Sequence, residues 1–417
     1  MNRRRAGVTA LATALFLLAL LAGPAVAQQQ GSEQRVQQGE LQPEQVGPPI
    51  EAKAWILIDA RSGEVLVSHA AAEHLSIAST TKLMTAWVAM HELPLDKVVR
   101  TVPYDAEFGE SLLGLRPYQR ISVRDLLYGL ILRSGNDAAH DLAIAAAGSQ
   151  ERFVGQMNRR AAALGLADTH YANPIGLDEK GNFSSAADLA TLTRQLLQLP
   201  AFARIADARS AVLRSVHPQR RIESINELLQ LAPWATGVKT GHTWGAGYVL
   251  VGSGHRKGVD LIAVAIDAPT DEARFDDVLT LLEYGFHQYR HRQPIHAGQD
   301  LADPSIRYSG GQLPLRAAQP VIVGLRRGQQ LAVKVQAPGE VEGPIQRGTR
   351  LGHATVLVDG RPAATVSLRA GRTIPRAGFL DRARGFVADN WTPIALVAFV
   401  ILIGGVLLYR RMSRRRD

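Results

Sequence analysis

The sequence predicts an α+β protein with a large mixed domain, a small all-β domain and a C-terminal transmembrane helix. Strand-like runs lie on both sides of a helical middle in residues 50–290. Short alternating runs broken by Gly and Pro fill residues 291–375. Residues 392–409 form an 18-residue run without a charge. At 417 residues and 46% hydrophobic, the chain can form a core in both domains.

Residues 1–27 have the pattern of a secretory signal peptide. An arginine-rich start precedes an apolar run from Ala6 to Ala22, and the small residues Ala25-Val26-Ala27 are typical of a cleavage site. We therefore expect the mature chain to begin near Gln28, with an uncleaved anchor as the alternative. Residues 28–49 are rich in Gln, Glu, Gly and Pro, which predicts a flexible linker.

The large domain begins with a predicted β-hairpin, in which residues 54–58 and 64–68 flank a turn-forming stretch from Asp59 to Gly63. Apolar residues at helical spacing follow, and strand patterns return before a last helix at Glu272 to Tyr289. The other predicted helices are Leu83–Met90, Val123–Leu132, Ala138–Ala147, Phe153–Leu164 and Ala187–Leu199. The later predicted strands are Ala235–Thr240, Ala246–Gly252 and Val259–Ile266, and those of the small domain include Pro320–Leu325, Gln330–Gln336 and Ala354–Val358.

The C-terminal end predicts a single membrane span. A juxtamembrane segment, residues 376–391, leads into the uncharged run 392–409, which as a helix of 1.5 Å per residue is about 27 Å long. Residues 410–417 contain five arginines. Because cytoplasmic flanks carry the positive charge, we expect this tail in the cytoplasm and both domains on the outer, periplasmic side of the inner membrane. A buried core helix is the alternative, but core helices seldom end in a cluster of arginines.

The formal charge of +9 does not indicate a nucleic-acid-binding protein. The arginines at positions 3–5 contribute +3 and the tail from Arg410 to Asp417 contributes +4, which leaves only +2. That remainder is too small to predict a phosphate-binding surface. No spacing of His, Asp and Glu suggests a metal site, and the absence of Cys excludes thiolate chemistry, so no metal or cofactor is expected.

The first candidate site motif is Ser79-Thr80-Thr81-Lys82, just before an apolar helical run. Residues three apart share a helix face, so Ser79 and Lys82 would project together near the free N–H groups of a helix start. This arrangement can supply a nucleophile, a base and an oxyanion donor. The spacing alone also fits an ordinary surface lysine. However, the chain has only seven lysines among 47 basic residues, and lysine, unlike arginine, can lose its proton and act as a base.

Two further motifs follow in the chain. Ser134-Gly135-Asn136 lies between two predicted helices, where it could also be an ordinary turn. Lys239-Thr240-Gly241 lies in a predicted strand and uses another of the few lysines. A strand edge can bind an extended peptide through backbone hydrogen bonds.

The three motifs in this order resemble the Ser-x-x-Lys, Ser-x-Asn and Lys-Thr-Gly signatures of the penicillin-binding protein and serine β-lactamase superfamily. Within it, the chain resembles the low-molecular-mass D-alanyl-D-alanine carboxypeptidases, peptidase family S11, over roughly residues 50–380. Besides the motifs, the resemblance includes Gly176-Leu177-Asp178, Phe183-Ser184-Ser185, Pro344-Ile345, Gly348, Gly352 and Asp359-Gly360. It implies a β-lactamase/transpeptidase-like domain: an antiparallel sheet with helices on both sides, plus a helical subdomain. Members of this family often end in an amphipathic surface helix, whereas this chain ends in a predicted span.

The resemblance also implies catalytic roles. Ser79 would attack the carbonyl of the penultimate D-Ala of a peptidoglycan stem peptide, and Lys82 would be its general base. Ser134 would relay a proton to the leaving D-Ala. The backbone amides of Ser79 and His242 would form the oxyanion hole. β-Lactams would inhibit the enzyme as mimics of the D-Ala-D-Ala terminus.

The remaining site residues would bind the substrate. By resemblance, Asn136 would hold the stem-peptide amide and the general base. Lys239 and Thr240 would bind the terminal carboxylate on the strand that continues through Gly241 and His242. The side chain of His242 could shape the pocket or act as an acid or base, and both readings are open.

Three other functions fit part of this pattern. A serine β-lactamase needs an added carboxylate for fast deacylation, and only a weak match, Glu223-Ser224-Ile225-Asn226, is present. A DD-endopeptidase shares all three motifs. A non-catalytic wall-binding scaffold is disfavoured because the proposed nucleophile and base are both intact.

Overall fold

The computed structural model describes residues 47–413 apart from residue 309; the side chains of residues 384–386, 388–389 and 407–413 are not described. The predicted signal peptide, residues 1–27, and most of the predicted linker lie outside the described residues. Strands and helices are numbered below in chain order.

A five-stranded antiparallel sheet lies at the centre of the large domain. It consists of β1 (Ala54–Asp59), β2 (Val65–His69), β7 (Ala235–Thr243), β8 (Gly247–Arg256) and β9 (Val259–Ala268). The strand order is β2-β1-β9-β8-β7, so β7 is an edge strand. β1 and β2 form the predicted hairpin, with Leu57 opposite Val67, and the later predicted strands are confirmed as β7 to β9.

Helices surround this sheet as predicted. They are α1 (Lys82–Glu92), α2 (Val123–Leu132), α3 (Asn136–Ala147), α4 (Gln150–Ala163), α5 (Ala186–Leu197), α6 (Pro200–Ala206), α7 (Leu228–Leu231) and α8 (Asp271–His287). The hydroxyl oxygens of Ser122, Ser185 and Thr270 each accept a backbone N–H and cap α2, α5 and α8. The six predicted helices of this domain are confirmed as α1 to α5 and α8, with small differences at their ends.

Both faces of the sheet are buried, because alternate residues of its strands enter two different cores. In β1, Ile56 and Ile58 pack in a core with residues of α1 to α6. Trp55 and Leu57 point the other way and pack in a second core with residues of α8. This alternation explains why β1 reads as a continuous apolar run, and it confirms helices on both sides of the sheet.

Two short hairpins complete the large domain. β3 (Val98–Arg100) pairs with β4 (Arg120–Ser122), and β5 (Ser210–Leu213) pairs with β6 (Arg220–Glu223). The connection between the first pair, residues 101–119, is called the β3–β4 loop below. It is largely exposed, and it lies against the N-terminal end of α3 through residues 111–115.

The C-terminal β domain has its own core, which includes Ile295, Leu315, Val356 and Leu368. The predicted strands of this domain are confirmed within β15, β16 and β18. The strands are β10 (Arg290–Ile295), β11 (Asp300–Ala302), β12 (Ser305–Ile306), β13 (Gly311–Gln312), β14 (Leu315–Ala317), β15 (Val321–Leu325), β16 (Leu331–Gln336), β17 (Glu340–Val341), β18 (Arg350–Val358) and β19 (Arg361–Ala370).

Two helices follow the β domain, α9 (Phe379–Asp389) and α10 (Trp391–Ser413). The second includes the predicted span, residues 392–409. Over the residues whose side chains are described, which in α10 end at Val406, no helix is long and apolar enough to cross a membrane. The membrane span therefore stays a prediction.

Candidate active site

Ser79 and Lys82 meet at the junction of a 3₁₀ turn and α1. The turn, Ala78–Thr81, runs directly into the helix, whose first residue is Lys82. The Nζ atom of Lys82 donates a hydrogen bond to Ser79 Oγ at 2.8 Å and another to the carbonyl oxygen of Ile175 at 2.5 Å. The predicted shared face is confirmed, although Ser79 itself lies in the 3₁₀ turn and not in the α-helix.

The environment of the Lys82 amine favours its unprotonated form, which can accept a proton. The residue is 0% exposed, and burial lowers its pKa from 10.5 to about 7, against the opposing charges of Glu110 and Asp137. A lysine with a pKa near neutrality is partly unprotonated in water at pH 7, so it can act as a general base.

The turn around Ser79 is packed tightly against two other segments. Ala78 has a φ of +47°, a left-handed conformation that residues with a Cβ seldom adopt. A Cβ on Gly176 would lie 2.0 Å from the carbonyl oxygen of Ala78, and one on Gly241 would lie 3.1 Å from the backbone nitrogen of Ser79. Gly176 therefore has to be glycine, and the small residue at Gly241 lets β7 run directly beside the serine.

Asn136, at the start of α3, contacts a residue that the motifs do not include. Its Nδ2 donates to Glu110 Oε2 at 2.6 Å, and Tyr104 donates its hydroxyl proton to the same oxygen at 2.5 Å. The expected bond between Asn136 and Lys82 is absent among the described residues, and Asn136 Oδ1 is buried without a partner. Ser134 lies just before this helix, is 3% exposed and has a φ of +57°.

Asp137 holds the β3–β4 loop against this helix. Its carboxylate accepts backbone N–H bonds from Leu113, Gly114 and Leu115 at 2.7, 2.8 and 3.0 Å. A further hydrogen bond joins the loop to the helix: the backbone N–H of Asn136 donates to the carbonyl oxygen of Ser111 at 2.8 Å. These bonds keep Glu110 next to the asparagine.

The edge strand β7 presents a second buried lysine. Lys239 is 1% exposed, and its Nζ donates to the carbonyl oxygen of Thr240 at 2.6 Å. Burial lowers the pKa of Lys239 well below its ordinary value, and the charges of Lys82 and Arg274 lower it further. A bound anion would stabilise the protonated amine, so this part of the site favours a carboxylate.

Arg274 of α8 lies behind this strand. Its Nη1 donates to the carbonyl oxygen of Gly241 at 2.8 Å, and its guanidinium lies 5.3 Å from the centre of the Tyr248 ring. It also forms an ion pair with Asp271. The arginine therefore adds positive charge to the site and fixes the backbone at Gly241.

His242 lies at the open end of the site. Its ring stacks on Tyr248 with 4.2 Å between centroids and meets Trp244 at 6.3 Å. Asp178 fixes the adjoining turn, because it accepts from Thr243 Oγ1 at 2.7 Å and from the backbone N–H of Gly245 at 2.8 Å. These contacts hold the His242 ring against two aromatic side chains, and both roles predicted for it, shaping the pocket and acting as an acid or base, stay open.

The structure brings the three predicted motifs to one place and adds Glu110, Tyr104 and Arg274. Sequence reasoning missed these three because each lies in a segment whose local pattern predicts an ordinary surface residue. Asp178 belongs to the family resemblance through Gly176-Leu177-Asp178, which does not assign it a role. Among the described residues, no group of three or more His, Asp or Glu side chains is placed to hold a metal ion.

A serine hydroxyl and a buried lysine at the start of a helix, packed beside an antiparallel sheet whose edge strand carries a second buried lysine, define the penicillin-binding protein and β-lactamase-like class. Residues 40–270 match the family described as D-alanyl-D-alanine carboxypeptidase, peptidase S11. Residues 289–376 match the C-terminal domain of penicillin-binding protein 5. The chain belongs to the D-alanyl-D-alanine carboxypeptidase family.

Individual relatives agree with this assignment. D-alanyl-D-alanine carboxypeptidase DacF of Bacillus subtilis is 31% identical over 353 residues, 82% of this chain and 90% of that protein. DacC of Escherichia coli is 33% identical over 361 residues, covering 82% and 88%. The crystal structure of penicillin-binding protein 6B from Escherichia coli aligns with a TM-score of 0.57 and 29% identity, over 78% of this chain and 98% of that one.

Proposed function

We propose that this chain is a serine-type D-Ala-D-Ala carboxypeptidase that removes the terminal D-alanine from peptidoglycan stem pentapeptides through an acyl-enzyme on Ser79. The observation that carries the proposal is the 2.8 Å hydrogen bond between Ser79 Oγ and the Nζ of Lys82, a lysine whose pKa burial lowers to about 7. A weak nucleophile next to a base of this strength is activated for acyl transfer.

In the first half of the reaction, Lys82 takes the proton of Ser79 while Oγ attacks the carbonyl of the penultimate D-Ala. The backbone amides of Ser79 and His242 stabilise the oxyanion, and Ser134 passes a proton to the departing D-Ala. The close approach of Gly241, the residue before His242 in β7, to the backbone nitrogen of Ser79 supports this part.

The other predicted site residues bind the substrate. Lys239 and Thr240 take the terminal carboxylate, with Arg274 adding positive charge behind Gly241. Asn136 holds the stem-peptide amide. Water then hydrolyses the acyl-enzyme. Penicillins react with Ser79 in the same way, because their lactam carbonyl and carboxylate match those of the D-Ala-D-Ala terminus.

The proposal includes a location. We place the signal peptide at residues 1–27, the catalytic domain at 50–290, the β domain at 291–375 and a single span of the inner membrane at 392–409, with the catalytic domain in the periplasm. The uncharged run supports the span, as do exposed apolar side chains on α10: Leu396, Phe399 and Leu402 are 65%, 60% and 67% exposed. Exposing these apolar side chains to water is unfavourable, whereas the hydrocarbon core of a bilayer accommodates them.

The test is the release of D-alanine. The full chain in detergent is incubated with a pentapeptide ending in D-Ala-D-Ala and, in parallel, with a crosslinked dimer, and free D-Ala and cleaved dimer are measured. We expect D-Ala from the pentapeptide, and none from the Ser79→Ala variant. Cleavage of the dimer alone would establish an endopeptidase and contradict the proposal.

A further inference from the structure

Glu110 is a carboxylate of the active site that the three motifs do not account for. It belongs to the exposed β3–β4 loop, yet it accepts the Asn136 Nδ2 bond at 2.6 Å, the Tyr104 hydroxyl bond at 2.5 Å and the backbone N–H of Glu107 at 2.9 Å. Its charge also acts on Lys82. A carboxylate on a surface loop is normally solvated, whereas Glu110 is held by three donors next to the proposed base. This arrangement indicates a function of Glu110 in the active site.

Glu110 determines how the side-chain amide of Asn136 is turned. Burial alone raises the pKa of Glu110, but the hydrogen bonds from Tyr104, Asn136 and Glu107 outweigh it, and the pKa is lowered. The carboxylate is therefore ionised and can only accept hydrogen bonds. The NH₂ group of Asn136 must face it, which leaves Oδ1 as the end without a partner.

The nearby Lys82 has one donor to spare. As an ammonium it carries three N–H groups, of which two are used by Ser79 Oγ and the Ile175 carbonyl. The buried acceptor Asn136 Oδ1 needs one donor, because an unpaired buried acceptor is unfavourable. A hydrogen bond between the two would connect Glu110 to the base through Asn136.

We propose that Glu110 is a positioning residue for the acylation step: it orients Asn136 and, through the Asn136 amide, stabilises the Lys82 ammonium that forms when Ser79 gives up its proton. In this step the proton moves from Ser79 Oγ to Lys82 Nζ as the bond from Oγ to the substrate carbonyl carbon forms, and the π electrons of that carbonyl move onto its oxygen to give the oxyanion. The inference rests on the proposed function, because it concerns the same acyl transfer.

A direct role of Glu110 as the base that activates the hydrolytic water is a poorer fit. Its two oxygens already accept three hydrogen bonds, and its lowered pKa makes it a weak base. To accept the hydrogen bond from Asn136, Glu110 must be ionised. The hydrogen bonds that Glu110 receives favour this ionised form.

The charges around Lys82 decide the expected pH dependence. Glu110 and Asp137 face it and raise its pKa, against the larger effect of burial. Lys239 is close enough for its own pKa to be lowered by Lys82, and Arg274 lies behind Lys239. Replacing Glu110 by a neutral residue removes one of the two negative charges, so the pKa of Lys82 must fall.

The experiment measures the rate of acylation by a labelled penicillin against pH, for the full chain in detergent and for Glu110→Gln. We expect the plateau rate of the variant to fall about tenfold or more, while the acid limb of its profile moves to lower pH. Glu110→Asp, which keeps the charge, should keep the limb near its original position. Asp105→Asn is the matched control: it removes an exposed charge from the same loop and should change neither quantity.

Each other outcome has a definite meaning. A lower plateau with an unmoved acid limb in Glu110→Gln would reduce the residue to a structural support and overturn the inference. An unchanged rate and a much longer-lived acyl-enzyme would assign it to hydrolysis, which also overturns it. If the unmodified chain itself were not acylated, the proposed function would fail, and that result is distinct from either of these.

Discussion

Lys82 Nζ lies 2.8 Å from Ser79 Oγ. The same amine donates to the carbonyl oxygen of Ile175, 93 residues further along the chain, at 2.5 Å. The first contact comes from local helical geometry. The second comes from packing, which buries the amine and so lowers its pKa to about 7. We expect the serine to be reactive only when both conditions hold at once.

Replacing Ser79 by Ala should abolish covalent labelling by penicillin, because the attacking oxygen is lost while the site is otherwise kept. The unmodified chain should be labelled, and the label should persist long enough to be seen on a denaturing gel. Covalent label on the purified Ser79→Ala protein would place the nucleophile elsewhere.

Replacing Lys82 by Arg should reduce acylation by at least about a hundredfold, because a guanidinium keeps its proton at any working pH. Lys239→Arg should be milder, since its proposed role is to supply positive charge to a carboxylate. Lys257→Arg, at an exposed position, serves as the control and should leave the acylation rate unchanged. Equal rates for the Lys82 and Lys239 variants would remove the assignment of Lys82 as base.

The acylation rate should rise with pH through about 7, the pKa to which burial lowers Lys82. The unprotonated amine is the active form, and its fraction grows as pH increases past its pKa and then levels off. A stopped-flow or quenched labelling series across neutral pH measures this. A rate that fell over the same range would require a protonated group in the role given to Lys82.

The tail should behave as an integral anchor. Residues 392–409 have no charged side chain, so attachment relies on hydrocarbon burial and not on anionic lipid. Alkaline carbonate or high salt should leave the full chain in the membrane fraction. A chain stopped near Pro375 should be soluble and still release D-Ala. Extraction of the full chain by carbonate would instead indicate a helix that lies on the bilayer surface.

Replacing Asp137 by Ala should destabilise the catalytic domain by about 2–3 kcal/mol, because three backbone N–H groups of the β3–β4 loop lose their acceptor. Acylation should slow as well, since Glu110 lies on the same loop. Urea unfolding of the chain stopped near Pro375 measures the first effect. Asp105→Ala, at an exposed position in this loop, is the control, and equal stability of the two variants would contradict the prediction.

Much of the fold could be predicted because its signals are local. Short apolar runs between turn-forming residues predict the β1–β2 hairpin and the strands β7 to β9, and helical spacing predicts α1 to α5. The Ser79-x-x-Lys82 pair was also predictable, because residues three apart share a face in any helical turn. The scarcity of lysine then drew attention to Lys82 and Lys239, the two that the structure buries most completely.

The tertiary structure alone decided which other charges enter the site. Glu110 lies 26 residues from Asn136, and Arg274 lies 33 residues from Gly241. A glutamate in a polar loop and an arginine on a helix look like solvated surface residues in any local window. Their partners depend on how the β3–β4 loop and α8 pack against α3 and β7. Spacing along the chain determined which residues could share a turn, whereas long-range packing determined the burial, and hence the proton affinity, of the lysine at the centre.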